Sequence, residues 1–153
     1  MGYIHELRQR VGHMPIIMVG GSVLVINQND ELLMMRRTDN GCWGIPGGAL
    51  ESGERVEDAA RRETQEECGM EVGEMALFGV FSGPELYYRY PNGDEVYNVC
   101  VVYLTHDVNG AINIDPGEHS EMGYFGIQSL PEPISPPIKP ILEELQRRFF
   151  IPK

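Results

Sequence analysis

The chain has 153 residues, 42% of them hydrophobic, which suits a single domain over residues 1–153. No apolar run approaches the roughly 20 residues of a membrane-spanning helix, and the charged N-terminus does not resemble a signal peptide. The net charge of −11 opposes non-specific binding to nucleic acids and anionic membranes, so neither is an expected partner. Three widely spaced cysteines, without a C-x-x-C pair, indicate no disulfide framework or zinc site and favour a cytoplasmic location.

The N-terminal third predicts two strands and a loop. After a short helix over 3–10, the Ile- and Val-rich stretch 15–27 predicts a long strand, and 31–37 predicts a second. Turn-forming residues at 28–30 separate the two strands, so we expect a hairpin. The glycine-rich segment 39–53 is predicted as a loop.

The rest of the pattern alternates helices and strands. A helix is predicted over 54–68, ending at Gly69, where a left-handed cap is favoured. Extended segments are predicted over 71–81, 86–90, 95–105 and 122–127, with a hairpin turn at 91–94. The last helix, 139–150, carries an apolar stripe of Ile141, Leu142, Leu145 and Phe149. This order predicts an α/β fold in which helices pack on a mixed sheet.

The helix predicted over 54–68 carries acids on the face that should be buried. At about 100° per residue, its apolar positions Val56 and Ala60 share that face with Glu63, Glu66 and Glu67. Like charges at these spacings repel, and partial burial increases the cost. The carboxylates must therefore either bind protons or surround a hard cation such as Mg²⁺.

The simpler alternative is a solvated acidic face, which charge runs usually form. It requires an apolar stripe on the opposite side, which instead holds Glu57, Arg61, Thr64, Gln65 and Cys68. A bound cation is therefore favoured, and it would also let so negative a protein bind an anionic phosphate ester.

The same residues match the motif of a known family. Gly48, Glu54, Arg62-Glu63, Glu66-Glu67 and Gly69 stand at the spacing of the Nudix box, and the preceding Trp-Gly-Ile-Pro-Gly-Gly resembles its usual lead-in. One position departs, because Thr64 replaces a larger aliphatic residue. The chain thus resembles the Nudix (MutT-like) hydrolases.

The resemblance implies a Nudix α/β/α sandwich with a mixed central β-sheet. It implies a pyrophosphohydrolase that uses Mg²⁺ or Mn²⁺ to hydrolyse a nucleoside diphosphate linked to another moiety. By position, Glu63, Glu66 and Glu67 resemble the metal ligands, completed by the carbonyl of Gly47. A homodimer through the N-terminal strand region is an expectation by family analogy.

Supporting and catalytic roles also follow from the resemblance. Glu54 is expected to support the metal site or position water, and Arg62 to orient the acids, although an exposed helix arginine is an equal alternative from the residues alone. A carboxylate should accept the proton of the attacking water: Glu63 is the first candidate, Glu118 the second and Glu121 an alternative. Glu118 and Glu121 are equally compatible with solvated loop acids.

The substrate is less defined. Pro84 and Tyr87 lie near the family's markers for ADP-sugars and for dinucleoside polyphosphates, so the markers do not discriminate. Aromatic residues that could stack on a base or ribose are Trp43, Tyr87, Tyr88 and Tyr90. Strand aromatics more often serve packing, which remains the alternative.

Two other readings of function are weaker. A catalytically silent nucleotide-binding or regulatory module usually has a degraded box, whereas every acid is present here. An isomerase on a related scaffold would need a further His and Glu metal site, and the four histidines are scattered. The signatures of P-loop, Ser-hydrolase and zincin chemistry are missing from the sequence.

Overall fold

A computed structural model describes residues 2–150 of the chain. The helices are α1 (Tyr3–Val11), α2 (Val56–Cys68) and α3 (Lys139–Phe150). The strands are β1 (Ile16–Val25), β2 (Glu31–Arg37), β3 (Trp43–Gly44), β4 (Gly47–Ala49), β5 (Glu71–Val72), β6 (Ala76–Phe81), β7 (Tyr87–Arg89), β8 (Glu95–Thr105), β9 (Val108–Asn109) and β10 (His119–Gly126). Among residues 2–150, every helix is too short or too polar to span a bilayer.

The central sheet is mixed, as the sequence predicts. Its strand order is β4-β1-β8-β6, with β7 also pairing with β8. Strands β1 and β8 run parallel along their whole length, from Ile16 opposite Val96 to Val25 opposite Thr105. The pairings of β4, β6 and β7 are antiparallel. A second, antiparallel sheet has the order β10-β2-β3.

The predicted hairpin between the first two long strands is wrong. Strands β1 and β2 lie in different sheets and share only one isolated bridge, between Ile26 and Leu32. The chain does turn back here, since the Asn27 N–H donates to the Glu31 carbonyl at 3.0 Å, but the two strands then diverge. Strand β2 pairs along its whole length with β10 instead. Its side chains from Leu32 to Met35 are all enclosed, because the two hydrophobic clusters cover its two faces.

Other boundaries shift where long-range contacts decide them. The segment predicted as one strand over 71–81 is interrupted at Gly73, whose N–H donates to the Asp107 carbonyl, so β5 pairs with β9 and only β6 joins the central sheet. The last strand begins at His119 rather than at Met122. Helix α2 ends at Gly69 in the left-handed conformation, with φ 74°, as expected.

Two hydrophobic clusters separate the layers. One lies beneath α3 and contains Leu24, Ile26, Leu32, Met34, Ile141, Leu142 and Leu145. The other lies beneath α2 and contains Val23, Val25, Leu33, Met35, Ala60 and Cys68. Because successive side chains of a strand point to opposite faces, β1 and β2 serve both clusters, which gives the expected α/β/α sandwich. The predicted apolar stripe of α3 stops early, since Phe149 is 43% exposed.

Candidate active site

Helix α2 lies unusually close to β1. A Cβ on Gly21 would come within 2.8 Å of the Val56 carbonyl oxygen and 3.2 Å of the Ala60 Cβ. Only glycine fits at this point of the strand. The close approach places the second half of α2 directly beside β4.

The glycines of β4 meet the acids of α2. The Gly47 N–H donates a hydrogen bond of 2.9 Å to Glu67 Oε1. A Cβ on Gly48 would lie 2.3–2.7 Å from the carboxylate atoms of Glu63, so a side chain there would displace this acid. Glu63 and Glu67 therefore lie against the same short strand, which two adjacent glycines keep accessible.

Arg62 forms hydrogen bonds with three acids of this region. Its Nε and one terminal nitrogen donate to the two carboxylate oxygens of Glu54, at 2.8 and 3.0 Å. The other terminal nitrogen donates to Glu63 Oε1 at 2.8 Å and to Glu66 Oε2 at 3.4 Å. This forked arrangement suits a guanidinium. Glu54, which also accepts the Glu51 N–H, has its pKa lowered chiefly by the hydrogen bond from Arg62.

Burial raises the pKa values of the two inner acids, Glu63 and Glu67, whereas the pKa of Glu54 is lowered. Desolvation raises the pKa of Glu67 to about 8, and the nearby charges of Glu63 and Glu118 add to the effect. Desolvation also raises the pKa of Glu63, although Arg62 opposes this. In the absence of a cation Glu67 is therefore mostly protonated at neutral pH.

Glu66 differs from its neighbours because its side chain is 58% exposed. In residues 2–150 no three or more His, Cys, Asp or Glu side chains are already gathered at a point where an ion would be held. Arg62 instead forms hydrogen bonds with Glu63 and Glu66. The assignment of Glu63, Glu66 and Glu67 as ligands of one cation therefore stays a prediction.

Two cavities meet at Glu67. The larger, about 810 Å³ when the space open to solvent is included, has an apolar wall that includes Met18, Met35, Ile45 and Cys100. The smaller, about 610 Å³ on the same basis, is lined by Arg37, Thr38, Asp39, Glu67, Gly117, Glu118 and His119. Glu67, Arg37 and His119 border both.

The chemistry of this junction fits a hard divalent cation. Carboxylate and carbonyl oxygens are the donors that Mg²⁺ and Mn²⁺ prefer. A partly buried pair of acids with raised pKa values is disfavoured as two free anions, and a cation relieves this. The glycines of β4 leave room beside both carboxylates.

The two further candidate bases occupy different surroundings. Glu118 is exposed and borders the smaller cavity together with Glu67. Glu121 follows an irregularity in β10 and forms an exposed ion pair with Arg36, with Nη1 and Oε1 3.2 Å apart. Glu118 is therefore next to the acidic junction, whereas Glu121 is not among the residues that line either cavity.

The structure corrects two of the aromatic residues expected to stack on substrate. Trp43 is only 5% exposed, because its ring packs edge-on against Phe125 in the core beneath α3. Tyr87 packs on Tyr97 and donates to Glu95, outside the linings of both cavities. Alternation along β7 explains this, since it directs the neighbouring Tyr88 into the larger cavity instead.

Tyr90 lines the larger cavity and meets Tyr88 edge-on with ring centroids 4.9 Å apart. These two aromatic rings form the part of the wall that suits a base or a ribose. The pKa of Tyr90 is raised, chiefly by burial.

The polar residues of the cavities that were missed from the sequence include Arg37, Asn98 and His119. Arg37, which ends β2, forms a two-bond pair with Asp39, and its pKa is raised by that contact. Asn98 on β8 lines the larger cavity and donates to the Leu86 carbonyl at 3.0 Å. His119 is buried between the cavities. None belongs to the acidic motif, and only the alternation of β2 and β8 could have indicated which of their residues face inward.

Comparison with known proteins places the chain in a family. The model of the NUDIX domain matches residues 18–145, and the chain belongs to the Nudix family. It is 31% identical over 121 residues to an ADP-ribose pyrophosphatase of Methanocaldococcus jannaschii, covering 77% of this chain and 66% of that protein. It is 32% identical over 128 residues to the NAD-capped RNA hydrolase NudC of Vibrio parahaemolyticus, covering 83% and 45% respectively.

A solved structure supports the fold. The MutT NUDIX hydrolase of Burkholderia pseudomallei aligns with a TM-score of 0.72 at 29% identity, covering 86% of this chain and 98% of that one. The chain nevertheless spans less than two thirds of the length of several curated relatives that it matches. It covers 66% of the ADP-ribose pyrophosphatase and 45% of NudC.

Proposed function

We propose that this chain is a single-domain Nudix pyrophosphohydrolase that needs Mg²⁺ or Mn²⁺. Its substrate is a nucleoside diphosphate linked to another moiety, such as a nucleoside triphosphate or ADP-ribose. The observation that carries the proposal is the position of Glu67, a buried carboxyl group at the junction of an aromatic-walled cavity and an acidic one.

The larger cavity supports a nucleotide substrate. Tyr88 and Tyr90 offer apolar ring faces, and Asn98 and Ser22 add polar groups on the strand side. A base or ribose held there would direct its phosphates toward Glu67 and the smaller cavity. Arg37 borders both spaces and offers a positive charge beside that path.

Glu63, Glu66 and Glu67 would hold the cation, together with the carbonyl oxygen of Gly47. When bound, the cation neutralises phosphate oxygens as negative charge develops and lowers the pKa of a water in contact with it. Arg62 orients the acids through its bonds to Glu54 and Glu63, the kind of outer support that such sites require.

Glu63 is our candidate for accepting the proton of the attacking water. Burial raises its pKa, which makes it a better base than an ordinary carboxylate once it is ionised. Glu118 is the alternative, since it borders the smaller cavity. Comparing the pH–rate profiles of Glu63→Gln and Glu118→Gln at saturating Mn²⁺ distinguishes them, because only loss of the base removes the acidic limb once the cation and the substrate are bound.

The decisive experiment is a hydrolysis screen with and without chelator. The purified chain is assayed against ADP-ribose, nucleoside triphosphates including oxidised ones, dinucleoside polyphosphates and nucleotide sugars. EDTA should abolish turnover, and added Mg²⁺ or Mn²⁺ should restore it. Reaction in ¹⁸O-labelled water then identifies the phosphorus that is attacked.

The same screen separates catalysis from a silent binding module. Binding of a nucleotide without turnover at any metal concentration would favour the module. Turnover that persists in EDTA would contradict the cation-dependent mechanism. The complete set of acids supports catalysis, because a module that only binds has no need of a buried carboxyl group at the cavity junction.

A further inference from the structure

His119 lies between the two cavities, beside Glu67. It is the first residue of β10, opposite Arg37 in the sheet, and its backbone N–H donates to the Asp115 carbonyl at 2.9 Å. Its side chain is only 6% exposed, yet it borders both cavities. The Nudix box does not include it, and the roles proposed above do not use it.

The two oxygens of Glu67 have different neighbours. Oε1 accepts the Gly47 N–H at 2.9 Å, while Oε2 faces His119 Nε2 at 3.8 Å. The second separation exceeds a hydrogen bond by about 0.8 Å. A small rotation of the Glu67 side chain closes a gap of this size.

The other ring nitrogen determines which tautomer is favoured. His119 Nδ1 is sealed from solvent and has no hydrogen-bond partner among residues 2–150. A proton on Nδ1 would be a buried donor without an acceptor, which is costly, whereas a proton on Nε2 faces a carboxyl group. Opposite an ionised Glu67, the neutral ring should therefore carry its proton on Nε2.

On the basis of the function proposed above, we propose that His119 is a positioning residue. Its Nε2–H donates to Glu67 Oε2 and, together with the Gly47 N–H, fixes the Glu67 carboxylate for cation binding. Each oxygen of Glu67 then accepts one hydrogen bond, from the Gly47 N–H or from His119. The lone pairs that accept no hydrogen bond point toward the cavity junction.

Two substitutions separate the ring nitrogens. The side-chain amide of His119→Gln can reach the position of Nε2, whereas that of His119→Asn reaches only the position of Nδ1. His119→Phe fills the space without either nitrogen. All three are compared with the wild-type chain for Mn²⁺ affinity by electron paramagnetic resonance, for kcat and KM, and for melting temperature.

We expect His119→Gln to keep Mn²⁺ affinity within about threefold. His119→Asn and His119→Phe should lose roughly 10- to 100-fold, the range for removal of a group that supports a metal ligand. At saturating Mn²⁺ the KM for nucleotide should change little, because His119 acts on Glu67 and not on substrate. An altered fold would lower the melting temperature without this ordering of Gln over Asn.

A second measurement needs no metal and no substituted histidine. Long-range ¹H–¹⁵N spectra of the metal-free wild-type chain, recorded at a pH high enough to ionise Glu67, should show the Nε2-protonated tautomer. Glu67→Gln should shift the Nε2 resonance and leave Nδ1 nearly unchanged. This arm remains informative if a His119 variant does not fold.

Several results would overturn the proposal. Asparagine retaining affinity that glutamine loses would assign the function to Nδ1. A rise in KM alone would make His119 a substrate contact, and a ¹⁴N coupling to bound Mn²⁺ would make it a direct ligand. If the wild-type chain neither binds Mn²⁺ nor hydrolyses nucleotides, the proposed function itself fails, while the tautomer spectra still report whether His119 and Glu67 interact.

Discussion

Helices α2 and α3 pack against the sheets on opposite sides and use their inner faces in opposite ways. The inner face of α3 is filled by the large aliphatic side chains Ile141, Leu142 and Leu145. Its Glu144 lies outside, where Arg147 and Arg148 bind it. The inner face of α2 buries only the smaller side chains Ala59, Ala60, Thr64 and Cys68.

The small side chains of α2 explain how its acids reach the interior. They allow the helix to approach β1 at Gly21, so Glu63 and Glu67 extend past the strand to β4. Larger residues would fill this space and keep the helix away. Helix α3 therefore stabilises the core by aliphatic burial, whereas α2 uses part of its inner face for carboxyl groups that are unfavourable when uncompensated.

The largest effect should come from the acid at the cavity junction. Glu67→Gln removes a charge that the proposed cation needs, and we expect kcat to fall roughly 10³-fold or more, the scale seen when a group that stabilises the transition state is deleted. The fold should survive, because the carboxyl group it replaces is already mostly protonated at neutral pH. Steady-state hydrolysis and thermal unfolding measure the two expectations.

The matched control is Glu144→Gln on α3. It changes the same residue type in a helix of similar length, but at an exposed ion pair. We expect its kcat to equal that of the wild-type chain. Equal losses in the two variants, or wild-type turnover in Glu67→Gln, would remove Glu67 from the site.

The pH dependence of stability should differ between the two glutamates. Burial raises the pKa of Glu67 from 4.5 to about 8, so the folded chain binds more protons than the unfolded chain between these values. The contribution of the protonated Glu67 to the free energy of unfolding is complete below about pH 4.5. It is lost as the pH rises toward 8 and the folded chain has to ionise this group. The pKa of Glu144 is lowered to about 2 by Arg147 and Arg148, so its contribution is present above pH 4.5 and lost in acid.

Denaturant titrations in chelator should therefore show that the free energy of unfolding of the wild-type chain falls from pH 6 to pH 8.5. The loss should reach a few kcal/mol at most, at roughly 1.4 kcal/mol per unit of pKa shift. Glu67→Gln should flatten this slope, and Glu144→Gln should not. Identical slopes in all three would mean that Glu67 is solvated.

Sequence alone was sufficient for part of the local signal. The box and the cap at Gly69 lie within 23 contiguous residues, and helical periodicity correctly gives Glu63 and Glu67 a common inner face. It wrongly places Glu66, which is exposed, on that face and the buried Thr64 and Cys68 on the opposite side, because the closeness of α2 to β1 determines which side chains are enclosed. The partners of a strand are not local. Whether β2 pairs with β1 or with β10 depends on residues nearly 90 positions away, and the sequence pattern favoured the nearer strand wrongly.

The lining of the cavity was predictable only in part for the same reason. Trp43 adjoins the box, but Phe125 encloses it from β10. The choice between Tyr87 and Tyr88 follows from the register of β7 on β8, which one sequence does not specify. A single histidine such as His119 has no motif to mark it, and its importance arises only from its proximity to Glu67.

A moderate effect is expected where α2 approaches β1. The added methyl group of Gly21→Ala would meet the Val56 carbonyl oxygen at 2.8 Å, which is backbone and cannot rotate away. We expect a loss of about 1–3 kcal/mol in the free energy of unfolding, typical of overpacking, and lower activity as the acids of α2 move from β4.

Gly123→Ala on β10 is the matched control. There an added Cβ meets only the Phe125 ring, at 3.8 Å, an ordinary contact. We expect it to be neutral or slightly stabilising, because alanine restricts the unfolded chain. Equal losses in the two variants would show that glycine is needed in both strands for some reason other than the approach of α2.

The smallest effect concerns Thr64, the residue that departs from the family motif. It is fully buried on the inner face of α2, and its hydroxyl donates to the Ala60 carbonyl at 2.8 Å. Thr64→Val keeps the shape and removes a polar group whose acceptor lies within the same helix. We therefore expect the free energy of unfolding to rise by about 1 kcal/mol or less, with kcat unchanged.

Thr64→Ser tests the same position in the other direction. It keeps the hydroxyl and deletes a buried methyl group, so the free energy of unfolding should fall by about 1 kcal/mol. If the free energy of unfolding is highest for valine, lower for threonine and lowest for serine, apolar packing determines the stability of α2 at this position, as it does for α3 at Ile141, Leu142 and Leu145. The reverse order would mean that the hydroxyl contributes more than the methyl group, and that the inner face of α2 depends on polar contacts even away from its carboxyl groups.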